Sequence, residues 1–240
     1  MDKYDVSLIL ACFNEEQIFE DSVSRIIRTL DQTDYTWEII FVDDKSQDGT
    51  RTLIAKMIKR YPRKNLSAIF HKKNLGRGQT VKDGFKKALG RIVGYIDIDL
   101  EVREWYLPKF FAAIEAGADL ASAWRIYDFK LKTLHRWLGS KGYVLLRKAL
   151  LGLPFEDTEG GYKFFKRAKL MPLLKQSYHS GWFFDTEIMT LAFRAGLKVV
   201  EIPTAFVRRT DKTSTVRLVP DTLIYLKNLL SYSYRHGKNH

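Results

Sequence analysis

The sequence contains little cysteine and no grouped histidine. Cys12 is the single cysteine among 240 residues, so no disulfide can form within the chain, and a reducing compartment is the simplest expectation. The histidines show no zinc-ligand spacing; they are His71, His135, His179, His236 and His240. The sequence therefore predicts neither a disulfide-stabilised scaffold nor a zinc protein.

Long apolar runs are also missing. No stretch approaches the roughly 18 apolar residues that a membrane-spanning helix needs. No secretory signal is expected, because the N-terminus enters its first predicted strand almost at once, and no internal repeat is evident. With 45% hydrophobic residues, a chain of this length can bury one sizeable core, as a single α/β domain does.

Predicted strands alternate with predicted helices along the first hundred residues. Residues 6–13, 37–42 and 66–70 have the composition of buried strands, and a fourth apolar run begins at Val93. Helical patterns separate them. This alternation implies right-handed βαβ units and a mostly parallel sheet flanked by helices. Ligands of such sheets bind beyond the carboxyl ends of the strands.

An acidic pair follows the fourth strand. Asp97 and Asp99 are two residues apart, and Glu101 keeps the same phase if the chain stays extended, so the three side chains would project to one side. Carboxylate oxygens suit Mg²⁺ or Mn²⁺ that already carries a diphosphate. The alternative is a solvated turn. The metal interpretation is favoured because other polar segments converge on the same edge of the sheet.

Three such segments follow the first three strands, at residues 14–16, 43–50 and 71–78. Asp43-Asp44 ends the second strand, as a nucleotide contact or as helix-capping residues. Residues 74–78 could cradle phosphate on backbone N–H groups, although the lysine-serine pair of a P-loop is absent. Asp185 and Glu187 would not share a helix face, so we expect Asp185 to face the site and Glu187 to brace it. The preceding aromatic residues 182–184 belong either to the core or to a surface that packs a sugar.

Taken together, these segments resemble family 2 glycosyltransferases with the nucleotide-diphosphosugar transferase (GT-A) fold, in particular the dolichyl-phosphate mannose synthase-like subgroup. The resemblance spans roughly residues 5 to 215. It implies a glycosyltransferase domain over 1–215, with a nucleotide-binding half (1–100) and an acceptor half (101–215), followed by an amphipathic helix and basic tail over 216–240. The matching segments are residues 12–16, 42–50, 74–78, 97–100, 157–163 and 185–187.

The resemblance implies a role for each matching position. Nucleotide-sugar contacts are implied for Phe13, Glu15, Asp44 and Arg77, with a solvated charge as the alternative for Arg77. A divalent metal, Mg²⁺ or Mn²⁺, is implied at Asp97, Asp99 and Glu101, the last of which stands where the mannose synthases usually have glutamine. Catalytic roles are implied for Asp97, Asp99 and Asp185. Acceptor-phosphate contacts are implied for Arg125, Arg136, Ser140 and one of Arg208 and Arg209.

Some positions depart from the family pattern. Ala11 stands where proline is common, Phe13 where tyrosine is frequent, and Gly160 where serine or threonine is usual. These departures leave open whether the donor carries GDP or UDP, and which sugar it carries.

The net charge of +12 calls for a partner or another physical reason, and an anionic membrane surface is one partner that fits it. Residues 131–151 form an apolar, aromatic helical pattern edged with cations, and residues 222–230 form a second candidate. Packing of these helices on the sheet is the alternative. We expect a cytoplasmic protein that is peripherally associated with the inner face of the membrane. The cations of the first pattern are Lys130, Lys132, Arg136, Arg147 and Lys148.

These observations predict an inverting, metal-dependent transfer of a hexose from a nucleotide sugar, of the GDP-mannose or UDP-glucose type, to a polyprenyl or dolichyl phosphate. No activated Ser or Cys nucleophile is apparent, so direct displacement is the simplest mechanism. A phosphate acceptor is already ionised, whereas a sugar hydroxyl, the alternative acceptor, needs a carboxylate base. A nucleic-acid-binding protein is disfavoured, because no recognition motif is present and the acidic strand ends would repel phosphate. A catalytically silent nucleotide-sugar sensor is a further alternative.

Overall fold

The computed structural model describes residues 2–62, 65–127, 144–209 and 218–236. In the first half, each strand is followed by a helix whose apolar residues recur at helical spacing, as at Phe19, Val23, Ile26 and Leu30. The elements of this half are β1 (Tyr4–Cys12), α1 (Phe19–Asp31), β2 (Trp37–Asp43), α2 (Thr50–Arg60), β3 (Leu66–Phe70), α3 (Arg77–Lys87) and β4 (Gly90–Ile96).

The second half is less regular. A short 3₁₀ turn (Glu104–Tyr106) leads into a series of helices and shorter strands. These elements are α4 (Leu107–Glu115), β5 (Leu120–Tyr127), α5 (described over residues 144–151), β6 (Tyr162–Lys166), α6 (Arg167–Gln176), α7 (Phe184–Arg194), β7 (Val199–Phe206) and α8 (Leu218–His236).

The strands form one seven-stranded sheet in the order β3-β2-β1-β4-β6-β5-β7. β1 pairs in parallel with β2 and β4, and β5 pairs in parallel with β7, whereas β6 runs antiparallel to both of its neighbours. The predicted mostly parallel α/β sheet is therefore confirmed. Because Cys12 pairs with Asp43 and Asp43 with Phe70, the loops after these strands meet at one edge.

The core lies in two layers, one on each face of the sheet. Along β1, Leu8 and Leu10 pack on one face and Ile9 on the other, as strand geometry requires. Helices α1, α2 and α4 cover the first face, and helices α3, α6 and α7 cover the second. The sheet is thus buried on both sides, which leaves the loops at its edges for chemistry.

The C-terminal helix α8 packs on the second face through Leu229 and Tyr232, both almost fully buried. Leu223, Ile224 and Leu230 of the same helix are exposed. Within the described part of the chain, no helix is both long and apolar enough to cross a bilayer. The domain boundary at residue 215 remains a prediction.

Candidate active site

The carboxylates that follow β4 line a cleft at the carboxyl edge of the sheet. The chain turns here and does not stay extended, which was the condition for Glu101 to keep the strand phase. β4 ends at Ile96, the N–H of Leu100 donates to Asp97 O at 3.2 Å, and Leu100 has φ 56°. In this turn Ile98 and Leu100 point into the core, which leaves the intervening acidic residues at the surface of the cleft. The cleft is lined by Asp97, Asp99, Glu101, Val102, Arg125, Gly161, Tyr162 and Phe206.

Arg77, the first residue of α3, joins two of the predicted catalytic carboxylates. Its Nε and Nη2 donate to Asp97 Oδ1 at 3.2 and 2.6 Å, and its Nη1 donates to Asp185 Oδ2. Only 11% of the Arg77 side chain is exposed. Burial alone would lower the pKa of Arg77, but the charges of Asp185 and Asp97 hold it above its ordinary value. Arg77 is therefore a buried cation bound to both carboxylates, and its predicted nucleotide contact remains a prediction.

Asp185 lies at the N-terminal end of α7 with both carboxylate oxygens occupied. Oδ2 accepts from Arg77, while Oδ1 accepts from the Tyr95 hydroxyl and lies 3.4 Å from Lys163 Nζ. Burial, and then the charge of Asp185, raise the pKa of Tyr95 well above its ordinary value, so this hydroxyl stays a donor. Burial lowers the pKa of Lys163. Asp185 is only 1% exposed, which leaves it little room to accept a proton from a substrate.

Sequence reasoning missed three members of this cluster. Tyr95 precedes Asp97 by two residues in the phase of β4, and Lys163 is a lysine within a buried apolar strand, which is a signal in itself. Gly161 donates no side chain, but a Cβ there would collide with Asp97 Oδ2 and Arg77 Nη2. The absence of a side chain at position 161 therefore makes room for the Arg77–Asp97 pair.

Arg125 lines the cleft while forming a buried ion pair with Asp157. Its Nε and Nη2 donate to the two Asp157 oxygens at 2.6 and 3.0 Å, and its guanidinium lies over the rings of Tyr127 and Phe206. Burial would raise the pKa of Asp157, but the charge and hydrogen bonds of Arg125 lower it to about 2. The pair thus holds a fixed guanidinium at the wall of the cleft.

Arg208 and Arg209 follow β7 and differ in position. Arg208 is exposed, whereas Arg209 reaches the acidic turn. The Arg209 N–H donates to Glu101 Oε1 at 3.2 Å, and its Nη1 donates to Asp99 O at 3.2 Å and to Ser22 Oγ at 3.3 Å. Of the two arginines, Arg209 is therefore the one that the structure brings to the carboxylates.

Arg136 and Ser140 fall within residues 128–143, outside the described residues, so their acceptor role stays a prediction. Of the expected 131–151 helix, residues 144–151 are described. There the expected surface position of Arg147 is wrong: its side chain is 1% exposed, and Nη2 donates to Phe155 O at 2.6 Å.

Asp44, a predicted nucleotide ligand, is bonded within the protein. Its Oδ1 accepts the N–H of Leu75 at 2.8 Å and lies 2.8 Å from His71 Nδ1, while its Oδ2 accepts the N–H of Gly76 at 2.9 Å. The side chain is 4% exposed. Asp44 therefore ties the end of β2 to the loop before α3, and two of the N–H groups expected to cradle phosphate are used by this carboxylate.

The loop before α7 explains the glycines of the 74–78 segment. Gly76 has φ +88°, and a Cβ there would lie 2.7 Å from Ser180 O. The N–H of Gln79 donates to the same carbonyl at 3.0 Å. Positive φ and lack of a side chain at Gly76 thus allow residues 177–183 to dock on the start of α3.

Phe13 and Glu15 lie in the turn after β1. The Glu15 N–H donates to Thr50 Oγ1 at 2.8 Å, and Asn14, with φ 57°, accepts from the Gln47 N–H at 2.8 Å. This turn is therefore held against the loop after β2. Phe13 is partly buried and Glu15 is 8% exposed, and their nucleotide contacts remain predictions.

The donor chemistry of the cleft fits a hard divalent cation. Across residues 2–62, 65–127, 144–209 and 218–236, no group of three or more His, Cys, Asp or Glu side chains is placed to hold a metal ion. Mg²⁺ at diphosphate sites, however, is usually held by one or two carboxylates together with phosphate oxygens and water. The hydrogen bonds from Arg77 go to Oδ1 of Asp97, and 46% of that side chain is exposed. Asp97 and Asp99 therefore suit a metal that arrives with its diphosphate.

Comparison with known proteins identifies relatives over most of the chain. The model of the family described as Glycosyl transferase family 2 matches residues 7–174. A dolichyl-phosphate beta-glucosyltransferase of Trichomonas vaginalis is 26% identical over 211 residues, which cover 82% of this chain and 64% of that protein. The glycosyltransferase AglD of Haloferax volcanii is 28% identical over 227 residues, 91% of this chain and 35% of that protein. The chain thus spans less than two thirds of the length of these relatives.

Solved structures share the fold. Glucosyl-3-phosphoglycerate synthase from Mycobacterium tuberculosis, in complex with phosphoglyceric acid, superimposes with a TM-score of 0.71 at 20% identity, covering 95% of this chain and 80% of that one. The same enzyme with Mn²⁺, UDP-glucose and phosphoglyceric acid gives a TM-score of 0.70 at 20% identity, covering 96% and 80%. The predicted GT-A architecture is therefore confirmed.

Proposed function

The chain belongs to glycosyl transferase family 2, and we propose that it transfers a hexose from a nucleotide sugar to a polyprenyl phosphate, with inversion and with a divalent metal. Within the family, we assign it to the dolichyl-phosphate hexose synthases, the wider group around the mannose synthases. The name of the Trichomonas relative supports a glucosyl donor and a dolichyl-phosphate acceptor.

The observation that carries the acceptor class is the bonding of Asp185. A hydroxyl acceptor must lose its proton as it attacks, which requires a carboxylate within hydrogen-bond reach and able to accept that proton. Asp185 is 1% exposed, with Oδ2 bound by Arg77 and Oδ1 bound by Tyr95. A phosphate acceptor needs no base, because its second pKa is about 6 and it is ionised at neutral pH. The saturated Asp185 therefore favours a phosphate.

The cleft supplies the remaining groups. Asp97 and Asp99 would hold the metal. When bound, the metal would stabilise the negative charge that develops on the leaving diphosphate. Arg125, fixed by Asp157, offers a positive wall to an anionic acceptor. Arg209, at the backbone of Asp99, would contact either the diphosphate or the acceptor phosphate. The negative charges of the nucleotide sugar and of the acceptor phosphate would thus be balanced by the metal and by arginines that the chain holds in place.

We also propose that the protein works at an anionic membrane surface, on the cytoplasmic side. The net charge of +12 supports this, as do exposed apolar side chains on two helices that flank the second core layer. On α5, Leu145 is 70% exposed and Lys148 lies nearby in sequence; on α8, Leu223 is 62% exposed and Tyr234 is 78% exposed. A polyprenyl chain would be presented to the cleft from such a surface.

One experiment tests the acceptor and the surface together. The purified protein is mixed with Mn²⁺, a nucleotide-sugar panel and vesicles that carry either a polyprenyl phosphate or the matching polyprenol, with phosphoglyceric acid as a soluble hydroxyl acceptor. We expect glycosylated product from the polyprenyl phosphate alone, and sedimentation with anionic vesicles that added salt reverses. Product from the polyprenol or from phosphoglyceric acid would show that the acceptor group is a hydroxyl and not a phosphate. Protein that stays in the supernatant at low salt would exclude the membrane proposal.

A further inference from the structure

Trp182 is an exposed aromatic residue in an otherwise buried aromatic segment. Its neighbours Phe183 and Phe184 are 1% and 0% exposed and belong to the second core layer, whereas Trp182 is 42% exposed. A tryptophan that only completed the core would be turned inward like its neighbours. The ring of Trp182 is therefore available to something outside the core.

The position of the ring is set by the charged cluster of the candidate active site. The guanidinium of Arg77 lies 5.3 Å from the Trp182 ring centroid, a cation–π distance. The same guanidinium donates to Asp97, which lines the cleft, and to Asp185. Trp182 is thus separated by one guanidinium group from Asp97, which would hold the metal that carries the diphosphate.

The loop that carries Trp182 is held firmly. The carboxylate of Glu187, which is fully buried, accepts the N–H groups of Tyr178 and His179, both at 3.1 Å, and lies 2.9 Å from His179 Nδ1. On the other side, Lys82 Nζ donates to His179 O at 2.9 Å. Burial would raise the pKa of Glu187, but the hydrogen bonds from His179 and Ser177 lower it, so the brace is ionised.

We propose that Trp182 forms the platform on which the donor hexose lies, and hence that it is a binding residue for the sugar part of the donor. This inference rests on the proposed function. A hexopyranose has an apolar face of C–H groups and polar edges, and a flat exposed ring covers that face without using its hydroxyl groups. The sugar is joined directly to the diphosphate, so its binding surface must adjoin the diphosphate end of the cleft. Trp182 meets both requirements, and the Arg77 guanidinium lies over its ring.

The test separates sugar binding from nucleotide binding. Calorimetric titration with Mn²⁺ measures the affinity of wild type, Trp182→Ala and Trp182→Phe for UDP, UDP-glucose, GDP and GDP-mannose. For the nucleotide that wild type binds, we expect Trp182→Ala to weaken nucleotide-sugar binding about fivefold while leaving the affinity for the bare diphosphate within about twofold. Trp182→Phe should retain most of the affinity for the sugar. Trp105→Ala is the control, because Trp105 is also exposed, at 59%, and is packed against Arg103 instead.

The outcomes are distinct. Equal losses for diphosphate and nucleotide sugar, or no loss for either, would overturn the role of Trp182 and leave the proposed function standing. If Trp182→Ala releases the protein from anionic vesicles and leaves nucleotide-sugar affinity unchanged, Trp182 is a membrane contact, and the platform is again refuted. If wild type binds neither nucleotide sugar, the proposed function fails, and the platform fails with it.

Discussion

Two acidic pairs follow buried parallel strands of one sheet, and the structure uses them differently. Asp43, the last residue of β2, and Asp44, the residue after it, are 0% and 3% exposed. Asp43 forms an ion pair with Arg51 at 3.1 Å, and Asp44 accepts backbone N–H groups of the loop before α3. Asp97, after β4, has 46% of its side chain exposed and lines the cleft together with Asp99.

The difference comes from the segments that reach each pair. The loop of residues 71–76 closes over Asp44, and the N–H groups of Leu75 and Gly76 donate to its carboxylate. At Asp97, the corresponding neighbour is Gly161, which has no side chain and leaves the carboxylate partly open. Two similar local sequences therefore have different roles. Asp44 holds the loop before α3 against the end of β2, whereas Asp97 and Asp99 form a candidate metal site.

The largest effect on stability is expected from substitution of Asp44. Asp44→Ala would leave the partly buried N–H groups of Leu75 and Gly76 without their acceptor, at about 1–3 kcal/mol for each donor. We therefore expect the free energy of unfolding to fall by about 2–5 kcal/mol. Urea unfolding followed by circular dichroism measures it.

The control for this change is Asp34→Ala, because Asp34 is exposed after α1. It should alter the free energy of unfolding by less than about 0.5 kcal/mol. A second variant, Asp44→Asn, tests whether Asp44 also contacts the nucleotide. If Asp44→Asn keeps its stability but loses nucleotide affinity, Asp44 contacts the nucleotide as the sequence predicted, and the contrast between the two pairs is weaker than the structure indicates.

Local patterns were sufficient for the first half of the fold but not for the partners in the site. The strands at 37–43 and 66–70 follow from short apolar runs that end in polar residues, and the observed bounds match that expectation. Arg77 bonds to Asp185 across 108 positions of sequence, and such a pairing leaves no local trace. The antiparallel insertion of β6 between β4 and β5 is likewise set by tertiary packing, since its five residues carry no signal of direction.

Asp157 provides an intermediate case, because 10% of its side chain is exposed and its partner Arg125 lines the cleft. Its pKa of about 2 lies below the ordinary value of 3.8, so the ionised carboxylate stabilises the fold above pH 3.8. That contribution, about 2 kcal/mol, is lost as the pH falls from about 4 towards 2. We expect the double variant Arg125→Met/Asp157→Leu to lose about 1.6 kcal/mol less stability than wild type on acidification from pH 5 to pH 2.5, where part of the Asp157 contribution is still present.

Chemical unfolding at a series of pH values measures this difference. The control is the exposed pair Lys56–Glu20, 3.6 Å apart, replaced by Lys56→Gln/Glu20→Gln, which should follow the wild-type curve closely. Equal acid sensitivity of wild type and the Arg125/Asp157 double variant would show that this pair does not contribute to acid stability. The guanidinium at the wall of the cleft would then not be held by Asp157 as the structure indicates.

The smallest expected change in free energy is at Asp97 and Asp99, the partly exposed pair after β4, although this pair is the one that decides function. Asp99→Asn keeps an oxygen that can accept the Glu101 N–H, now at 3.2 Å, but removes one negative charge from the cleft. We expect transfer of hexose to polyprenyl phosphate to fall at least tenfold, about 1.4 kcal/mol, with the urea midpoint unchanged, because a hard cation binds an amide oxygen less strongly than a carboxylate. Product formation at several Mn²⁺ concentrations measures the loss, and Asp34→Asn is the matched control.

A variant that keeps more than about a tenth of the metal-dependent activity would place the metal elsewhere. The open carboxylates after β4 would then serve as turn residues, and the contrast with Asp44 would concern stability alone.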